Sequence, residues 1–145
     1  MTLWCALKSP LLLGNNLTSM SQKTLDIVGN TALLALNQDP LGKAALRVHV
    51  GGWKQHAHGA TNTVQIWAGP LSNNEALVVL LNTGEEPATI VSTWAMLAAA
   101  KPRCTNLSVT DLWDGSTTSY GIRGPAPTRM LQPHASKALR LACHK

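Results

Sequence analysis

Thr63-Val64-Gln65-Ile66, a stop at Gly69-Pro70, the run Ala76-Leu77-Val78-Val79-Leu80-Leu81 and its closure at Asn82-Thr83-Gly84 decide the fold class of this 145-residue chain. The first segment alternates polar and apolar side chains, the period of two that marks a strand with one dry face. The second is apolar throughout, which fits a strand buried on both faces. Gly-Pro and Asn-Thr-Gly are turn chemistry. Further on, Thr89-Ile90-Val91-Ser92-Thr93-Trp94 is rich in β-branched residues. Leu107 and Val109 alternate before Asp111-Leu112-Trp113-Asp114-Gly115, where Asp-Gly marks another turn. At the end, Leu139, Leu141 and Cys143 face one way while Arg140 and Ala142 face the other. From about Arg47 the texture is β, and short strands separated by turns predict an antiparallel sandwich of Greek-key type over residues 43–145.

Toward the N-terminus the texture changes. Leu3, Ala6 and Leu7 recur at helical spacing and stop at Pro10. Leu11-Leu12-Leu13 reads as a strand buried on both faces, ending at Gly14-Asn15-Asn16. Ser21 is a good N-cap for a helix carrying Leu25, Ile27 and Val28, with Gly29-Asn30 as a left-handed stop. A second apolar stretch from Ala32 to Leu36 leads into Asn37-Gln38-Asp39-Pro40-Leu41-Gly42. Helix, buried strand, helix is the grammar of an α/β fold. One strand makes no sheet, so residues 1–42 are expected to need partners outside this chain, and an apolar start without a cap reads as a cut inside a domain. Met1 to Leu13 is not read as a signal peptide, because Lys8 and Pro10 interrupt it and no basic region precedes it. At that length it cannot span a bilayer.

Composition excludes some functions. Apolar residues make up 45% and charged residues 13%, a folded and not a disordered profile. The net charge of +5 is scattered, with no basic stripe interleaved with aromatics, so no nucleic-acid partner is expected. Three cysteines, Cys5, Cys104 and Cys143, form neither a disulfide framework nor a metal pattern. Cys104 with Cys143 is the candidate disulfide, since both fall in the β-rich half. Asn16-Leu17-Thr18 and Asn106-Leu107-Ser108 are N-glycosylation sequons, which matter only in a secreted protein.

Trp4-Cys5-Ala6-Leu7-Lys8-Ser9-Pro10-Leu11-Leu12-Leu13-Gly14, then Met20-Ser21, then Asn37-Gln38-Asp39-Pro40-Leu41-Gly42 closely resemble the melibiase family, glycoside hydrolase family 27, of α-galactosidases and α-N-acetylgalactosaminidases. Ile66-Trp67-Ala68-Gly69-Pro70-Leu71-Ser72, Val78-Val79-Leu80-Leu81-Asn82, Asp111-Leu112-Trp113, Pro133-His134 and Leu139-Arg140-Leu141 resemble the C-terminal β domain of the same family. The resemblance implies a (β/α)8 barrel followed by an antiparallel sandwich. Residues 1–42 would then be the last barrel segment: a helix, the eighth strand at Leu11 to Gly14, and a closing helix from Ser21. Because such barrels place their sites at the C-terminal ends of the strands, Gly14, Asn15 and Asn16 would lie at the rim of the sugar site. The family usually has an acid where this chain has Asn16, and a glycan beside a barrel mouth is disfavoured there. The resemblance also implies a secreted, lysosomal or vacuolar protein that uses no cofactor.

A retaining glycosidase needs two carboxyl groups about 5–5.5 Å apart. In the family both catalytic aspartates lie on earlier barrel strands, and nothing here matches them. The seven acids are Asp26, Asp39, Glu75, Glu85, Glu86, Asp111 and Asp114. Asp39, before Pro40, reads as a solvated turn or cap; Asp26 as the exposed face of a helix; Glu75, Glu85 and Glu86 as solvent-facing turns. Asp111, Trp113 and Asp114 read as a turn acid and a buried sandwich tryptophan and not as a sugar-stacking site. His56 and His58 could present two ligands from a strand, but a third is missing, so Gly51 to Gly59 reads as a solvated loop and no metal is expected. His49, His134 and His144 show no partner, and Trp53 could stack on sugar or pack.

The leading expectation is part of an α-galactosidase that removes terminal α-linked galactose from oligosaccharides by a retaining mechanism, the chain itself being inactive without its missing barrel segment. The alternatives are an α-N-acetylgalactosaminidase fragment, a non-catalytic sandwich that binds carbohydrate through Trp53, Trp67 or Trp113 or stabilises a partner domain, and a truncated gene product. No membrane partner is expected.

Overall fold

A computed structural model describes residues 1–56, 59–100 and 102–143, with the backbone alone at 53–56 and 59–62. Three short helices, α1 (Thr2–Ala6), α2 (Gln22–Val28) and α3 (Thr31–Asn37), precede eight strands. These are β1 (Leu46–His56), β2 (Gly59–Leu71), β3 (Glu75–Asn82), β4 (Ala88–Val91), β5 (Asn106–Asp111), β6 (Thr117–Gly121), β7 (Thr128–Leu131) and β8 (Ser136–Cys143). Six of them form one sheet in the order β1-β2-β3-β8-β5-β6, and β4 pairs with β7 in a second. Each described pairing is antiparallel.

Alternation along the strands sorts their side chains into two cores. On one face Ile66, Val78, Leu80, Leu107, Val109, Leu139 and Leu141 close against Ile90 and Leu131 of the small sheet and against Leu97 and Ala100. This is the sandwich core. The opposite face carries Leu77, Val79, Ala138 and Leu112, packed against Cys5 and Ala6 of α1 and Leu33 and Leu36 of α3. β3 therefore has the small sheet beneath it and the helices above it, which explains its unbroken apolar sequence. Such runs are usual in parallel sheets, but here an antiparallel strand has both faces covered. The price of a period-two reading at β8 is similar: Ala138 belongs to the helix-side core while Leu139 and Leu141 face the sandwich.

Asn82, fully buried at the end of β3, ties the two sheets together. Its Nδ2 donates to the carbonyls of Glu86, Leu131 and Gln132 at 2.8, 3.2 and 3.1 Å, and its Oδ1 accepts from the Gly84 N–H at 2.9 Å. A buried amide so paired is stabilising, whereas one left unpaired costs about 1–3 kcal/mol. Cys104 and Cys143 form a disulfide, with Cα atoms 5.9 Å apart, that pins the segment before β5 to the end of β8. Cys5 remains a buried free thiol.

Several expectations fail for identifiable reasons. Leu11-Leu12-Leu13 forms no strand, and Leu12 is 77% exposed; a parallel strand requires a neighbour, and none of the described strands pairs with it. Gly29 is not left-handed (φ −92°, ψ 6°). Asn30 does not end that helix but begins the next, its Oδ1 accepting from the Leu33 N–H at 3.0 Å. A side chain at position 29 would still be costly, since a Cβ there would lie 2.8 Å from the Leu25 carbonyl oxygen. β4 ends at Val91, three residues short of Trp94, because Ser92 turns its hydroxyl onto the Pro127 carbonyl at 2.6 Å. Gly51 to His56 is not a loop: it extends β1 and pairs with residues 59–64 of β2, helped by the left-handed Gly52 (φ 66°).

Candidate functional site

Polar contacts stitch the seam where the N-terminal helices meet the sheet, at both ends. At the α1 end, buried Thr2 accepts at its Oγ1 from the Trp113 indole N–H and the Ser136 hydroxyl, both at 3.0 Å. Backbone joins them, Ala45 N–H donating to the Ala6 carbonyl at 2.9 Å. Asn30, while capping α3, also donates from Nδ2 to the Leu112 carbonyl at 3.2 Å.

At the α3 end, Asp39 has the turn role expected of it, through the Leu41 N–H, and in addition clamps Ser72. Its carboxylate accepts from the Ser72 hydroxyl at 2.6 Å, from the Ser72 N–H at 3.1 and 3.2 Å, and from the Leu41 N–H at 3.1 Å. Burial works to raise its pKa, but the Ser72 bonds, the Leu41 bond and the nearby Lys8 charge together hold it below the usual carboxylate range. Lys8, itself in a left-handed conformation (φ 57°), donates from Nζ to the Leu36 carbonyl at the end of α3. Burial lowers the Lys8 pKa, with Asp39 and Cys5 opposing the shift. Burial likewise raises that of the Cys5 thiol, against the N-terminal and Lys8 charges. Asn37 completes the clamp by donating to the Ser9 carbonyl at 2.9 Å.

The clamp leads directly into Gly14, Asn15 and Asn16, which are all exposed. Asn16 Oδ1 accepts from the Thr18 N–H at 2.9 Å and the Thr18 hydroxyl at 2.8 Å, capping a one-turn 3-10 helix at Leu17–Ser19. A Cβ on Gly14 would meet nothing within 4 Å. Exposed large apolar side chains in this part of the chain are Leu12, Leu13, Leu17, Leu25 and Ile27.

Among the described residues, acidic side chains engage cations and hydrogen-bond donors. Asp111 and Asp114 converge on the Lys137 ammonium at 2.6 and 3.2 Å, an ion triad at the turn after β5. Hydrogen bonds from Ser116, then from Lys137, lower the Asp114 pKa to about 2. The Lys137 pKa is raised: burial opposes, and the bonds and charges of Asp111 and Asp114 outweigh it. A general acid needs a pKa shifted upward toward neutrality, so this triad holds structure. Glu75 is half-buried at the start of β3 and lies 3.7 Å from the Arg140 Nε, where a solvated turn was expected. Asp26 is exposed on α2, accepting from Gln22 at 2.7 Å. Glu85 is exposed and meets His134 at 3.3 Å, a partner the sequence reading missed. Among the described residues no three His, Cys, Asp or Glu side chains could hold a metal; His58 and His144 lie outside those residues, as does the side chain of His56.

The tryptophans are held by their indole N–H groups. Trp113 uses its bond to Thr2, and Trp67 donates to Gln65 at 3.0 Å while Arg47 lies over its ring at 5.8 Å. The side chain of Trp53 is outside the described residues. Open grooves lie among the described residues. One of about 970 Å³ runs along the seam past Asn30, Gln38, Asp39, Ser72, Glu75 and Trp113; another of about 340 Å³, between β1 and residues 96–100, is lined by Leu46, Val48 and Met96. Sequence reasoning missed Thr2, Lys8, Ser72, Asn82 and Lys137. Lys8, Ser72 and Asn82 carried a signal only as members of quoted motifs, and Thr2 and Lys137 carried none.

Residues 61–141 match the alpha galactosidase C-terminal beta sandwich domain. Alpha-galactosidase 3 of Arabidopsis thaliana is 39% identical over 123 residues, covering 85% of this chain and 26% of that protein. An alpha-galactosidase of Oryza sativa subsp. japonica is 36% identical over 138 residues, covering 94% of this chain and 29% of its own length. The crystal structure of alpha-galactosidase I from Mortierella vinacea superposes with a TM-score of 0.81 at 30% identity, covering 97% of this chain and 33% of that one. The chain thus spans about a quarter to a third of the length of these relatives.

Proposed function

Because the chain belongs to the melibiase family of α-galactosidases and corresponds to their C-terminal portion, we propose that it forms part of an enzyme that hydrolyses terminal α-linked galactose from oligosaccharides with retention. In this reading residues 1–42 are the last segment of the catalytic barrel, with Gly14, Asn15 and Asn16 at the rim of the sugar site. The catalytic aspartates belong to barrel strands outside these 145 residues. The chain's own task is to dock the sandwich onto the barrel's closing helices and hold the rim in place.

The observation that carries this reading is the unequal distribution of exposed apolar surface. Leu12 and Leu17 are 77% and 65% exposed, and Leu13, Leu25, Ile27, Trp4 and Leu7 join them within the first 27 residues. A cluster of this kind marks an interaction face, and covering one such leucine is worth about 1.5–3 kcal/mol. The remaining barrel is the partner proposed for it. The helical segment is tied to the sandwich by the Asp39–Ser72 and Thr2–Trp113 contacts, which is how the sandwich would position it. Passage through a secretory route, to the outside or to a lysosome or vacuole, is part of the proposal; the Cys104–Cys143 disulfide supports it.

A chimera tests the reading. The barrel of the rice relative, joined to this chain in place of its own C-terminal portion, should release nitrophenol from a nitrophenyl α-galactoside. A folded chimera without that activity would count against the assignment.

A further inference from the structure

We propose that Asn106 is an N-glycosylation site, the glycan standing on an open polar face of the sandwich beside its free edge strand. The sequon Asn106-Leu107-Ser108 lies on β5, where burial alternates: Leu107 and Val109 point into the sandwich core, and Asn106 points out to solvent. Ser108 and Thr110 follow Asn106 on the outer side. Across the ladder they face Ser119 and Thr117 of β6, with the Thr110 and Thr117 hydroxyls 3.0 Å apart. This is a hydroxyl-lined surface with little apolar area to cover, unlike the same sheet face at β3 and β8, where the helices sit.

Space is available as well. The residue of β6 paired with Asn106 is Gly121, so no side chain crowds the amide from that strand, and even a Cβ there would stand 3.9 Å from Asn106 Oδ1. β6 is exposed along almost its whole length and pairs only with β5 among the described strands. A second, independent observation points to the compartment. Cys104, two residues upstream of the sequon, is bonded to Cys143, which pairs with Leu107 in the sheet. Disulfides persist in oxidising compartments, on the same route where sequons are modified.

The chemistry is transfer from a lipid-linked oligosaccharide diphosphate. The Asn106 amide nitrogen bonds to the anomeric carbon, the carbon–oxygen bond to the diphosphate breaks, the amide proton is lost and the lipid diphosphate leaves. No redox partner is needed. A bulky hydrophilic group at this position would also hinder edge-to-edge pairing by β6, a recognised hazard of exposed edges. The inference rests on the secretory part of the proposed function and not on catalytic activity.

The test is secretion of the chain from a eukaryotic host, peptide mapping by mass spectrometry, and digestion with a peptide N-glycosidase, which leaves Asp where a modified Asn stood. The expected result is a glycopeptide containing Asn106 and a gel shift that disappears on digestion. N106Q should abolish that part of the shift, and S108A should do so with Asn106 still present, which separates loss of the acceptor from misfolding. Disulfide-bonded secreted chain with an unmodified Asn106 peptide overturns the proposal, whether or not Asn16 carries a glycan. That outcome would leave the activity of the chimera untouched.

Discussion

The two layers that flank the six-stranded sheet are finished to different degrees. The side facing the small sheet is closed: Leu80, Leu107, Leu139 and Leu141 are fully buried, and Asn82 satisfies the backbone carbonyls that would otherwise be stranded there. The helix side is closed where α1 and α3 touch the sheet, and its outward surface includes exposed Leu12, Leu13, Leu17, Leu25 and Ile27. The difference teaches that the sandwich core is closed on both sides, while the helical segment has one face packed and leaves these leucines and Ile27 exposed. Scattered exposed apolar residues on the sandwich, such as Val91 and Met130, fall within what any soluble surface shows.

This contrast can be broken by substitution. In the sandwich core, Leu80→Ala or Leu139→Ala should cost about 2–5 kcal/mol in denaturant titrations of the chain, whereas Leu12→Ala should cost almost nothing. A comparable loss from both would erase the distinction. Next in size, removing the Cys104–Cys143 disulfide by double substitution to Ser should cost about 2–4 kcal/mol, since the bond closes a loop of 39 residues. The same experiment on Cys5 asks a different question, because Cys5→Ala removes a small group from the helix-side core and should leave the sandwich midpoint nearly unchanged.

The seam should show a smaller and pH-dependent effect. Asp39→Asn removes charge-assisted bonds from Ser72 and should cost about 1–2 kcal/mol near neutral pH. The folded-state pKa of Asp39 is lowered, so its contribution is present above the unfolded value of about 3.9 and is lost as pH falls through the lower folded value. The gap between wild type and Asp39→Asn should therefore narrow in acid, read as denaturation midpoints at pH 7 and near pH 3. A constant gap would mean that the carboxylate charge plays no part. Smallest on stability, Leu12→Ser with Leu17→Ser should leave the chain's denaturation midpoint within about 0.5 kcal/mol while reducing self-association in sedimentation.

The sandwich was legible in the sequence because its information is local. The alternation at Thr63 to Ile66 and the turn at Asp114-Gly115, where Gly115 is left-handed (φ 74°), each report their own structure. The run at β3 was legible as doubly buried but not as to what buries it, since α1 and the small sheet are far from it in sequence. The clamp was illegible for the same reason. Nothing near Asp39 announces Ser72, and nothing near Thr2 announces Trp113 or Ser136. Leu11 to Leu13 failed in the opposite direction: its apolar composition states a need for burial, and only Leu11 is partly covered, by the helix-side core, while Leu12 and Leu13 stay exposed. The candidate site suffers most, because the rim proposed at Gly14 to Asn16 would be defined by strands these residues do not include.

The most direct test of the central claim, that these residues complete and hold a barrel but do not carry its chemistry, is an assay of the purified 145-residue chain on a nitrophenyl α-galactoside. The account predicts nitrophenol release no faster than in buffer from a chain that is folded by circular dichroism. Turnover well above buffer, lost on mutating a carboxylate such as Asp39 or Asp111, would contradict it.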